Sequence, residues 1–168
     1  MWFDYLVIAC WIAVLTVVGF AVRPLLPASA PRPGLLATDL LVLAVTVLPA
    51  WAYLTITEAG PRHATFGKRA TRLWVLRTGG QEPTAGPIGV RNAVKLAPWQ
   101  VAHLAVARFM LDVQVGVGVA CYLVAMLLVV LTVWMAVRDP WRRGLHDRVA
   151  GTRVVSVVDT PALRQPQW

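Results

Sequence analysis

The chain has 168 residues, 58% of them hydrophobic and only 14% charged, with a net charge of +8. An apolar excess of this size in a chain of one-domain length excludes an ordinary soluble domain and points to a membrane protein. The positive charge is concentrated. Residues 58–95 carry seven basic and two acidic side chains and residues 138–168 carry six and three, while the remainder carries three of each. Because the charges flank apolar runs, they read as segments held on the cytoplasmic side of a cell membrane, and no nucleic-acid partner is expected.

Residues 3–22 form the first apolar run, with only Asp4 and Thr16 as polar interruptions; about twenty such residues cross a bilayer as a helix. A cleavable leader is the rival reading, because Ala28-Ser-Ala30 resembles a cleavage site. Against it, the run is long, has no basic start, and would be cut directly before Pro31. Pro24, Pro27, Pro31 and Pro33 then rule out a continuing helix and make a nearly neutral outer loop. Residues 35–57 form the second run, with Asp39 and Glu58 marking its ends and Pro49 as either a kink or a tolerated membrane proline.

Within the basic segment 58–95, Leu73-Trp-Val-Leu76 is strand-like and ends at the turn Gly79-Gly80. Arg153–Val157 is β-branched, so the two stretches are expected to pair as short strands; either alone would leave its backbone unpaired. A helix starting near Pro87 places Arg91 and Lys95 on one face. Residues 96–111 are apolar but include Pro98, Gln100, His103 and Arg108, and read as a crossing or as an interfacial segment. Residues 115–137 are a clear crossing, with Trp134 and Trp141 suited to the interfacial belt. If both basic segments are cytoplasmic, an even number of crossings separates them, which makes 96–111 a crossing with Asp112–Gln114 at the outer turn. The expected fold is a single all-α membrane domain of about four transmembrane helices, both termini cytoplasmic, with a small cytoplasmic two-strand pairing.

Two basic stretches carry the motifs. Thr65-Phe-Gly-Lys-Arg69 followed by Leu73-Trp-Val-Leu-Arg77 resembles the T-x-G-K-R-x-x-x-L-x-V segment of RDD-family membrane proteins. Asp139-Pro-Trp-Arg-Arg-Gly-Leu-His-Asp147 with Arg148-Val-Ala-Gly-Thr152 is similar to that family's closing motif, and Arg91-Asn-x-x-Lys95 with Pro98-Trp-Gln-x-Ala-His103 resembles the middle helix of one branch. By this resemblance Asp4 and Asp147 stand for the family's two named aspartates, whereas its named arginine has no counterpart ahead of Asp4, and Gln100 stands where the related branch carries an acidic residue. The resemblance implies an integral membrane protein and suggests a transporter, or a transporter subunit, for an unidentified solute or ion.

The residues themselves favour a different class: a non-enzymatic module that binds anionic lipid or a protein partner through its basic face. Lys68, Arg69, Arg72, Arg142, Arg143 and Arg148 are suited to headgroups, each contributing about 1 kcal/mol near the surface. Asp4 reads either as a helix-start carboxylate favoured by the dipole or as the partner of a basic residue. His103 reads as a proton carrier or, more simply, as a hydrogen-bond donor to a neighbouring helix. Gly67, Lys68, Arg69, Arg143, His146, Asp147, Arg148 and Gly151 complete the candidates from the motifs. Asp4 and Asp147 are both expected to be held by arginines at the inner boundary, with Arg69 or Arg148 mattering more to the fold than Lys68. Gly116-x-x-x-Ala120 and Ala9-x-x-x-Ala13 permit close helix packing, including in a homo-oligomer. Cys10 and Cys121 lie in apolar runs as small hydrophobes. With no nucleophile paired to a base, no phosphate-binding loop and no metal-ligand spacing, no catalysis, cofactor or metal is expected.

Overall fold

The computed structural model describes residues 2–27 and 33–156. Ala28-Ser-Ala30, Pro31, Val157 and the rest of the C-terminal segment lie outside the described residues. Helix α1 spans Trp2–Val22 and runs into a short 3-10 turn at Arg23–Leu25, where Pro24 stops it. The second apolar run is α2 (Leu35–Val42), a π-helical turn (Leu43–Val47) and α3 (Leu48–Ala59) in one continuous rod. A short helix α4 (Phe66–Ala70) leads to strand β1 (Leu73–Arg77). Then come α5 (Ala85–Leu111), α6 (Val115–Arg138), the short α7 (Leu145–Ala150) and β2 (Thr152–Ser156).

Three stretches are long and apolar enough to cross a membrane: Leu6–Leu25, Leu35–Ala59 and Val115–Arg138. Nearly every described side chain of α1 past Asp4 is exposed, as are Val124, Leu127, Val130 and Val137 of α6. Such surfaces need an apolar solvent, as a bilayer provides.

Pro49 explains a detail of the second rod. It has no N–H to give to the Val45 carbonyl four residues back. The ladder widens to a π turn there, with the Leu48 N–H reaching Leu43. The Val45 carbonyl accepts instead from the Trp11 indole at 2.8 Å, which ties α1 to this rod. Proline thus makes an attachment point rather than a tolerated irregularity.

Residues 85–111 form one helix, so the boundary expected at residues 95–96 does not exist. Pro98 sits inside it without ending it. The helix packs antiparallel along α2 and α3 and is clamped to that rod at both ends. Arg108 holds Asp39 at 3.3 Å near one end, and Arg91 holds Glu58 at 2.6 Å near the other. Between the clamps lies the apolar core of Val47, Ala50, Leu54 and Leu96, with Trp51 and Trp99 against it. Two left-handed residues, Asp112 and Gln114, turn α5 tightly into α6. There Gly118 is the small residue that matters: a Cβ on it would come 2.8 Å from the Phe109 ring, whereas Gly116 faces open space.

The expected strand pairing is present. β1 and β2 are antiparallel, with Leu73 opposite Ser156 and Arg77 opposite Thr152. Gly151, in the left-handed conformation at φ +62°, ends α7 and aims β2 back along β1. Its carbonyl accepts from both the backbone N–H and the hydroxyl of Thr78.

Candidate functional site

The polar centre of the molecule lies where α3, α4, α5 and α7 meet. Glu58, on the last turn of α3, is fully buried. Its carboxylate accepts from Lys68 of α4, from Arg91 of α5 at 2.6 Å and from Asn92 of α5 at 3.2 Å. Arg91 spans two carboxylates: one guanidinium nitrogen meets Glu58, and its Nε donates to Asp147 of α7 at 2.8 Å. Asp147 also accepts from the Thr152 hydroxyl at 3.1 Å and faces the His146 ring at 3.2 Å. Lys68 and Arg91 are each only 1% exposed, so the ions of this junction answer one another rather than water.

Burial opposes the charge on Asp147, but the hydrogen bond from His146 and the guanidinium of Arg91 hold its carboxyl well below the usual carboxylate range. Burial, joined by repulsion from Arg91, pushes the Lys68 ammonium down to about 8 against the attraction of Glu58. An unfolded chain therefore binds more protons than the native one from about pH 8 up to the ordinary lysine range. The contribution of Lys68 to stability should accordingly rise with pH across that window. In thermal melts between pH 7.5 and 10, the parent should gain stability relative to Lys68→Met as the pH increases; parallel curves would contradict the assignment.

Asp4 is held differently from the expectation, with no arginine among the described residues on it. It sits 8% exposed in the first turn of α1. It accepts from the Thr65 hydroxyl at 2.8 Å, the Gly67 backbone N–H at 2.9 Å and the Tyr53 hydroxyl at 3.2 Å. Thr65 works twice, since its oxygen also caps α4 by accepting from the Lys68 N–H. Hydrogen bonds of this kind stabilise a carboxylate without a counter-ion in contact. A Cβ on Gly67 would lie 2.5 Å from the Asp4 carboxylate, so glycine is what lets α4 approach α1.

The arginines ranked ahead of Lys68 are peripheral. Arg69 donates from Nε to the Ala64 carbonyl, and Arg148, with its side chain 43% exposed, pairs with Asp139. The α4 turn directs Gly67 and Lys68 inward and leaves Phe66 exposed, so adjacent basic residues meet opposite environments. Asp139 also accepts from Arg143 at 3.0 Å and from the Trp141 N–H, and the Arg143 hydrogen bond lowers its pKa to about 2. Arg143 and Arg153 lie over the Trp141 ring at 4.7 and 5.2 Å from its centre, and Arg138 lies 5.1 Å from the Trp134 ring centre.

His103 stands apart from this junction. Its Nε2 accepts from the Trp99 indole at 3.1 Å, which leaves Nδ1 as the donor to the Trp99 carbonyl at 2.9 Å. Both ring nitrogens are thus engaged within its own helix, on a stacked Trp99 ring. The structure therefore gathers Asp4, Gly67, Lys68, His146 and Asp147 near one end and keeps Gly151 as a turn. It puts Arg69, Arg143 and Arg148 around the edge and His103 elsewhere. Glu58, at the centre of the junction, was legible only as a carboxylate ending an apolar run, and Arg91 as a basic residue near a helix start within the Arg91-Asn-x-x-Lys95 resemblance, with no partner named for either. No group of three or more metal-ligating side chains occurs among the described residues.

Comparison with curated proteins and with solved structures finds no match. The family model described as RDD family matches residues 1–151, which include the first helix, the first basic motif, the second as far as Gly151, and Glu58, Lys68, Arg91 and Asp147 of the junction. The chain belongs to the RDD family.

Proposed function

We propose that the protein is a four-span, non-enzymatic module of the cell membrane that engages anionic lipid headgroups with its basic cytoplasmic face. The two clamps on α5 support the fourth crossing. Asp39 and Glu58 are about 28 Å apart along their rod, and Arg91 and Arg108 about 25 Å apart along α5. Both spacings approach the roughly 30 Å of a hydrocarbon core. The ion pairs then lie at the two boundaries, and both basic segments share one side with both termini.

The observation that carries the lipid reading is the arginine–tryptophan layer. Trp134 and Trp141 are each 52% exposed, at the depth where tryptophan settles in the headgroup region, and arginines stack on both. Arg138 and Arg142 remain exposed beside them. Transport of a solute or ion finds less support. Of Thr16, Thr46, Gln100 and His103, only Gln100, with its Oε1 buried and unpaired among the described residues, is left to line a polar path; the others spend their polar atoms on their own helices.

Nanodiscs test the lipid reading. The protein should melt at a higher temperature in phosphatidylglycerol-containing discs than in phosphatidylcholine discs. Salt should narrow the gap, as should Arg138→Gln with Arg142→Gln, each charge contributing about 1 kcal/mol. Equal melting in both lipids would refute it.

A further inference from the structure

A second feature lies inside the helices. A cavity of about 430 Å³ is bounded by α1, α3, α5 and α6, within the roughly 300–1,000 Å³ of small-ligand sites. Its composition is graded. At one end stand Asp4, Lys68, Lys95 and His146; away from them the wall is Leu96, Trp99 and Ala102 of α5 and Met126, Val129 and Val133 of α6. From Lys95 to Ala102 this is about 10 Å along the helix, polar at the start and apolar for the rest. On the far side Ile8 of α1 closes it only in part, because α1 packs on α4 rather than closely on α6. Val129 and Val133 are 44% and 57% exposed along that opening.

Lys95 is the unanswered group. It makes no hydrogen bond or ion pair with any described residue. The carboxylates that act on it from a distance are Glu58, Asp4 and Asp147. Glu58 is taken by Lys68, Arg91 and Asn92. Asp4 is taken by Tyr53, Thr65 and Gly67, and Asp147 by Arg91, Thr152 and His146. Those three carboxylates balance Lys68, Arg91 and Lys95 in charge, yet none supplies the Lys95 ammonium with an acceptor. An ammonium has three donors to satisfy, and at a half-buried position on the cavity wall an anion that supplies acceptors is favoured.

We propose that this cavity holds one anionic phospholipid of the surrounding bilayer, its phosphate on Lys95 and one acyl chain along α5 and α6, entering sideways between α1 and α6. The apolar wall suits a hydrocarbon chain, the cation stands at the membrane boundary where a phosphate lies, and the side opening leaves the second chain in the bilayer. The site is separate from the exposed arginines, so headgroup attraction at Trp134 and Trp141 and occupancy of the cavity can fail independently.

The test is lipid retained through extensive detergent exchange, measured by extraction and mass spectrometry on protein purified from membranes containing phosphatidylglycerol and phosphatidylcholine. The parent should keep phosphatidylglycerol at close to one molecule per chain. Lys95→Met, which removes the charged hydrogen bond, should lower the retained amount by about tenfold or more, and Lys95→Arg should keep it. Val129→Trp, placed on the exposed rim, should exclude the lipid while still eluting as a single folded species with the parent's helix content, which separates occupancy from folding. Arg138→Gln with Arg142→Gln should leave retention unchanged. The proposal is overturned if the parent retains no phosphatidylglycerol or keeps phosphatidylcholine or a free fatty acid in its place. It is also overturned if retention survives in Val129→Trp and Lys95→Met alike.

Discussion

Replacing Arg91 by leucine should destabilise the protein by about 3–5 kcal/mol, the cost of stripping one partner from a desolvated ion pair. Arg91 is 1% exposed and is, among the described residues, the one side chain that meets both Glu58 and Asp147. Without it Asp147 loses its guanidinium and Glu58 retains Lys68 and Asn92 alone, while the ionic tie between α5 and α7 is cut and the β1–β2 pairing is left to join the two basic segments. Lysine should rescue little, since a single ammonium cannot serve two carboxylates with the planar fork of a guanidinium. Arg148→Leu is the comparison. Its side chain is 43% exposed and shares Asp139 with Arg143, so the expected cost is about 0–1 kcal/mol. Melting temperatures in detergent decide between them, and equal losses for Arg91→Leu and Arg148→Leu would remove the junction from its central place.

The second large effect is expected at Gly67. An added methyl would stand 2.5 Å from an Asp4 carboxylate oxygen, 2.8 Å from its Cγ and 3.0 Å from the Asp4 backbone nitrogen. A flexible side chain could swing aside, but the backbone contact forces α1 and α4 apart. Overpacking of this kind costs about 1–3 kcal/mol. Separation also weakens the hydrogen bond from the Gly67 N–H, and a buried carboxylate that loses a donor adds about 1–3 kcal/mol. Gly79→Ala serves as the control, because its nearest neighbour would be 3.9 Å away. Gly67→Ala melting together with Gly79→Ala would show that α4 does not depend on this close approach.

Much of the architecture was readable from local chemistry. The apolar runs located α1, the α2–α3 rod and α6, and β-branched content with glycine turns located the pairing of β1 with β2. These signals are short-range, and each is written in a single stretch of chain. The partners of the charges are not. Asp147 is surrounded in sequence by Arg142, Arg143 and Arg148, which made them the obvious partners. A helix of only six residues turns Asp147 inward to α5 and sends Arg148 outward to Asp139. Asp4 was expected to need a cation, and a threonine hydroxyl, a tyrosine hydroxyl and a backbone N–H serve instead, from residues 49 to 63 positions away. The basic pair Lys68-Arg69 gave no hint of which member is buried, because that depends on the face α4 turns to Glu58.

The polar residues of 96–111 likewise obscured the continuity of a helix whose start was placed near Pro87 and lies at Ala85. Arg91 and Asn92 belong to the buried junction, and Arg108 to the clamp at the opposite end. A hydropathy pattern scores such residues against a crossing, although in the fold they form the ion pairs that hold α5 to the rod beside it at both ends.

The proposed four spans require α5 to cross the membrane between its two clamps, with the charged junction at the inner boundary. Single cysteines at Gly80 and Val113, introduced after Cys10 and Cys121 are replaced by alanine, can be labelled in intact cells with a membrane-impermeant thiol reagent. Val113 should react from outside, and Gly80 should react only after the membrane is opened. Reaction of both positions from outside, or of both only after opening, would put the two ends of α5 on one side and contradict the account.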